Sequence, residues 1–177
     1  MDPGTQGLLG ACLSGAISNK KNLRLALTCG MIGGIAPDID ILIKSDNDPL
    51  VFIEYHRHFT HSIFFVPFGG LIVSLFLYLI FKNKISFRNI YIFSTLGIFT
   101  HGLLDSCTSY GTNLFWPFFD TRVSLNIISI IDPIFSITLI TFIFFSLKKN
   151  SIFSLRLGIF LSLTYLLLCL IKFNKVF

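Results

Sequence analysis

The chain has 177 residues and a formal net charge of +5, and it is 53% hydrophobic but only 13% charged. With a mean hydropathy of +0.77, it has too little charge to cover a water-soluble globule of this size. The composition also excludes disorder, collagen, coiled coil and a small disulfide scaffold. Apolar runs near twenty residues long predict an all-α, polytopic integral membrane bundle with about four to six hydrophobic helices. The length predicts a single membrane-embedded domain over residues 1–177.

In chain order, Gly7–Ser18 and Leu25–Ala36 are short apolar stretches, each about 18 Å as helix against a core of about 30 Å. The first reads as a short or re-entrant helix. The second completes a crossing if it runs on through Pro37-Asp38-Ile39-Asp40 into Ile41-Leu42-Ile43. Four longer segments follow: Ser62–Phe81, Ile90–Cys107, Ile127–Leu147 and Ile152–Ile171. Between them lie basic clusters free of acidic residues: Lys20, Lys21 and Arg24; Lys82, Lys84 and Arg88; Lys148 and Lys149. If Leu25–Ile43 crosses once, the positive-inside rule puts all three on the cytoplasmic face. Lys172 and Lys175 then fall on the opposite face, against the rule. Basic residues spaced this way point to the lipid bilayer as partner and away from nucleic acid. Cys12, Cys29, Cys107 and Cys169 have no paired spacing and read as small packing residues.

The ionisable residues are distributed unevenly. His56, His58 and His61 fall within Glu54-Tyr55-His56-Arg57-His58-Phe59-Thr60-His61-Ser62, and His101 and Asp105 interrupt an apolar segment. A charged residue at the bilayer centre costs about 2.5–3.5 kcal/mol on insertion scales, so such groups are functional candidates. His101 and Asp105, four apart, project from one helix face and suit a divalent cation that prefers imidazole and carboxylate. An antiparallel hairpin would set the start of Ser62–Phe81 beside the end of Ile90–Cys107, bringing His61 to His101 and Asp105. Asp38 and Asp40 reach the same end if the preceding helix crosses. The candidate metal ligands at this end are therefore Asp38, Asp40, His61, His101 and Asp105 with a third histidine, His56 or His58, for Zn²⁺ foremost and Mn²⁺ second. A helical 56–62 would pair His58 with His61, an irregular one His56 with His61, and spacing alone leaves both open.

Arg57 is a candidate clamp for a phosphate or carboxylate, or an anchor at lipid headgroups. Glu54, the chain's only glutamate, is a candidate general base or a solvated loop carboxylate. Thr60 and Ser62 could orient ligands, or Ser62 could start a helix; Asp132 before Pro133 reads as a helix cap. Trp116-Pro117-Phe118-Phe119 with Tyr110 reads as an interfacial anchor. The alternative to a metal enzyme is a non-catalytic membrane protein, structural or cation-transporting, with a buried His/Asp network.

Taken together, these motifs resemble the YdjM-type membrane-bound metal-dependent hydrolases, described as LexA-binding and inner-membrane-associated. The start Met1-Asp2-Pro3-Gly4-Thr5-Gln6-Gly7-Leu8-Leu9-Gly10 is similar to the family's opening. Pro37-Asp38-Ile39-Asp40 matches its P-D-x-D, and His56-Arg57 with Thr60-His61-Ser62 matches its H-R-x-x-T-H-S. His101 to Asp105, Thr108, Tyr110-Gly111, Trp116-Pro117-Phe118 and Ile131-Asp132-Pro133 match its later elements. The chain departs at His58, where the family often has a small residue, and at Gln6, where some relatives carry His. The resemblance favours His56 with His61 and implies a metal-dependent hydrolase. A more distant likeness of H-x-x-x-D to zinc-dependent phospholipases C hints, by analogy, at a phosphoester or lipid-linked substrate.

Overall fold

The helix boundaries in the computed structural model, which describes residues 1–43, 48 and 55–176, follow from local capping chemistry. The α-helices are α1 (Pro3–Ile17), α2 (Leu23–Ile35), α3 (Val66–Phe81), α4 (Phe87–Ser106), α5 (Pro133–Lys149) and α6 (Ile152–Val176). Two 3₁₀ segments, Ala36–Leu42 and Phe59–His61, complete the regular structure, and there is no strand among the described residues. Asp2 caps α1, its Oδ1 accepting from Thr5 N at 2.9 Å, with Pro3 at the first helical position. Asp132 caps α5 in the same way, accepting from Phe135 N at 2.9 Å.

The expected crossing after Leu25 is made in two pieces. Pro37 cannot donate to the ladder, so α2 passes into the 3₁₀ segment, and together Leu23–Leu42 form 20 residues apolar enough to span a membrane. Ile152–Asn174 is a second such span of 23 residues, and Val66–Phe81 is a shorter apolar helix. Several boundaries differ from expectation by a few residues, and two late helix starts have a local cause. The segment expected from Ser62 becomes helical only at Val66, because Ser62 is extended and its hydroxyl donates to the Trp116 carbonyl. The segment expected from Ile127 starts at Pro133, where Asp132 supplies the cap and residues before it are irregular.

One apolar core joins α1, α2, α4, α5 and α6 through Cys12, Leu27, Leu104, Leu139 and Leu155. A second joins α2, α3 and α4 through Cys29, Leu77, Ile90 and Phe93. Between α1, α2 and α4 there is a seam without side chains. A Cβ on Gly10 would lie 2.4 Å from the Gly30 carbonyl oxygen, and one on Gly97 would lie 2.3 Å from the same oxygen. Small residues allow this approach, as tightly packed membrane helices require. Ser14 Oγ ties α1 to α4 by donating to the Phe93 carbonyl at 2.8 Å.

Candidate metal centre

The hairpin of α3 and α4 sets Phe59–His61 against the last turns of α4. Gly102 makes that approach feasible: a Cβ there would sit 2.3 Å from the His61 carbonyl oxygen. The imidazoles of His61 and His101 consequently face one another, Nε2 to Nε2 at 2.8 Å, both fully buried. Asp105, one turn beyond His101, brings Oδ2 to 3.2 Å from His61 Nε2 and 3.4 Å from His101 Nε2. Asp38 enters from the 3₁₀ segment, with Oδ1 at 3.6 and 3.4 Å from the same two nitrogens. One ligand atom from each of Asp38, His61, His101 and Asp105 lies within 4.8 Å of every other, and this group could hold a metal ion.

The surrounding partners decide which atoms are left to face inward. His101 Nδ1 lies 2.6 Å from the Gly34 carbonyl, which can only accept, so Nδ1 carries the proton and a neutral ring turns a lone pair at Nε2 into the group. Thr60 gives its single hydroxyl proton to Asp40 Oδ2 at 2.9 Å, and its oxygen therefore accepts from His61 Nδ1, also at 2.9 Å. His61 Nε2 is thereby a lone pair as well. Asp105 Oδ1 takes the donors: the Met1 amino group, Gln6 Nε2 at 3.0 Å and Arg57 Nη1 at 3.4 Å. Asp105 Oδ2 and Asp38 Oδ2 are buried without a hydrogen-bond partner.

Two imidazole lone pairs and two carboxylates pointing at one another repel unless a metal ion, or a proton on one of the facing nitrogens, lies among them. The separations of 2.8–3.6 Å bracket the roughly 3.3 Å expected between tetrahedral ligands about 2.0–2.1 Å from zinc. Each histidine also has the outer partner that metal-ligating imidazoles characteristically keep. The donor set and its supports fit a divalent ion.

Asp40 and His56 stand beside this group rather than in it. Asp40 Oδ1 bonds His56 Nδ1 at 2.9 Å, while Oδ2 accepts from Arg57 N and Thr60 Oγ1, each at 2.9 Å. With three donors on its two oxygens, Asp40 orients the loop that delivers His61. His58 points elsewhere, its Nε2 3.3 Å from the exposed Asp120 carboxylate. Arg57 is buried with φ +61°, a conformation uncommon for a non-glycine residue. The Asp40 carboxylate on its N–H, and Thr112 Oγ1 and Asn113 N on its carbonyl at 3.1 and 3.3 Å, hold it there. Its guanidinium lies 4.9 Å from the Tyr110 ring centre. Glu54 lies outside the described residues. Gln6, read from sequence as the loss of a ligand, instead orients Asp105, and the Gly34 carbonyl has no side-chain signature at all.

The sequence profile of the YdjM inner membrane protein family matches residues 1–176. The uncharacterized protein YfhP of Bacillus subtilis (strain 168) is 33% identical over 140 residues, covering 75% of this chain. The chain spans under half of that relative's length, 42%. No solved structure matches. With helices able to span a bilayer and a family match over nearly its whole length, the chain is an integral membrane protein belonging to the YdjM inner membrane protein family.

Proposed function

We propose that this chain is a membrane-embedded, metal-dependent hydrolase acting on a phosphoester or lipid-linked substrate, with its site towards the non-cytoplasmic side of the bilayer. The observation that carries the reading is the convergence of two imidazole lone pairs, whose outer nitrogens are already bonded, with the carboxylates of Asp38 and Asp105. Asp38, His61, His101 and Asp105 would hold the ion, and imidazole with carboxylate donors favours Zn²⁺, with Mn²⁺ next. Such an ion, when bound, acidifies a water and polarises the scissile bond. Gly34 and Thr60 hold the two imidazoles in the ligating tautomer, and Asp40 holds Thr60. Arg57, beside Asp105, supplies a fixed planar cation for the substrate's anionic group. Asp38 is the one member of the four with an exposed edge, 13% of its side chain, and so marks where water and substrate enter.

The test is elemental analysis of detergent-purified wild type beside Asp105→Ala. Wild type is expected to carry a divalent transition metal and the variant to lose it. Activity on a panel of phosphoesters should vanish with chelator and return with Zn²⁺ or Mn²⁺. A wild-type protein that binds neither ion overturns the reading.

A further inference from the structure

We infer that the furrow between the 3₁₀ segment Ala36–Leu42 and α3 receives the hydrocarbon chain of a bilayer lipid phosphoester whose headgroup reaches the His/Asp group. The inference rests on the hydrolase reading and narrows its substrate to a lipid that enters sideways from the membrane. A cavity of about 380 Å³ lies there, walled by Pro37, Leu42, Phe59, Phe65, Ile72 and Ile98. A second, of about 480 Å³, shares Ala36, Ile39, Ile72 and Val73 with it and continues along the helices to Ile32 and Phe76. Both volumes are in the range of about 300–1,000 Å³ usual for ligand pockets.

The furrow is polar at one place only. Among the described residues that line the first cavity, Asp40 and Thr60 are the polar ones, and Thr60 bonds directly to His61. Beyond Asp40 stands Arg57, whose backbone N–H donates to that carboxylate and whose buried Nε has no hydrogen-bond partner. The inner end thus reaches the His/Asp group through Thr60, whose hydroxyl meets both Asp40 and His61, and the remainder offers apolar walls. Among the described residues, Asp40 is the one ionisable group lining the cavity, and three donors already engage it. An apolar channel that ends one side chain from the metal ligands suits an amphiphile whose tail lies in the furrow and whose head reaches past Thr60. Gly69 keeps the floor open, since a Cβ there would lie 2.8 Å from the Phe65 ring. Ile39 and Ile72 are 62% and 63% exposed on the two banks, so the furrow opens laterally, towards lipid. An apolar cavity of about 450 Å³ between α1, α4 and α6 (Leu9, Leu103, Leu163) is lined by neither Asp40 nor Thr60 and serves as an internal control.

The test uses the full chain in nanodiscs with phosphatidic acid bearing a photoactivatable group in one acyl chain, without added metal. Adducts are expected at Ile32–Ile39 and Ile72–Phe76, removed by excess unlabelled phosphatidic acid. Ile72→Trp should abolish them and Leu163→Trp should not. Adducts spread over all lipid-facing helices and indifferent to competitor overturn the inference. In the Zn²⁺- or Mn²⁺-loaded protein, Ile72→Trp should lower kcat/KM for phosphatidic acid by about tenfold or more. Hydrolysis of bis(4-nitrophenyl) phosphate, which has no acyl chain, should fall less than that of phosphatidic acid, and an equal fall on both substrates also overturns the inference. Competed labelling in a protein that cleaves neither substrate would overturn the hydrolase reading while supporting the furrow, so the two failures are separable.

Discussion

Replacing Thr60 with valine keeps the β-branched shape of the side chain and removes one oxygen. That oxygen donates to Asp40 Oδ2 and accepts from His61 Nδ1, both at 2.9 Å. After the change, His61 Nδ1–H retains only Asp40 Oδ2, at 3.4 Å, so the ring loses the contact that aims Nε2 at His101. A buried hydrogen bond to a charged group contributes about 1.5–3 kcal/mol, which corresponds to about 10–100-fold in an equilibrium constant. The same range is typical for loss of an outer partner of a metal-ligating histidine. Zn²⁺ affinity of Thr60→Val, measured in detergent by competition with a chromophoric chelator, should therefore fall by about 10–100-fold. Thr60→Ser should bind nearly as tightly as wild type, because it restores the hydroxyl. Helical circular dichroism should be the same for all three proteins. Wild-type Zn²⁺ affinity in Thr60→Val would refute the tautomer argument and with it the outward support assigned to Thr60.

His101→Ala should abolish stoichiometric Zn²⁺ on elemental analysis, whereas His56→Ala should retain it, since His56 bonds Asp40 and stands outside the four-residue group. Gly102→Ala places a Cβ 2.3 Å from the His61 carbonyl oxygen. This should destabilise the protein by about 1–3 kcal/mol, read as a lowered thermal midpoint together with weakened metal binding. Arg57→Lys replaces a planar fork with a point charge; KM for a phosphoester substrate should rise with bound metal unchanged. Gln6→Leu leaves Asp105 Oδ1 without its amide donor and should weaken Zn²⁺ binding by about tenfold.

The sequence carried the pieces of this site whose geometry is local or set by helix pairing. Four-residue spacing aligned His101 with Asp105, and the hairpin reading brought His61 to them across forty residues. Asp38 and Asp40 were not separable at that level, because their roles depend on the 3₁₀ winding after Pro37. With about three residues per turn, positions two apart diverge by about 120°, so Asp38 faces the imidazoles while Asp40 turns to His56 and the Arg57 backbone. The supports were hidden for a different reason. A backbone carbonyl such as that of Gly34 has no residue signature, and Gln6 is distant in sequence from the carboxylate it orients. The helix starts at Val66 and Pro133 were displaced from expectation because hydropathy continues through residues whose hydrogen bonds go elsewhere.

The glycine seam has a consequence for how the molecule can move. Helices that shear past each other must shift the groups packed between them. Where the Gly10, Gly30 and Gly97 backbones touch, no rotamer is available to absorb a displacement, and carbonyl would collide with main chain. The seam therefore resists displacement of α1, α2 and α4 against one another.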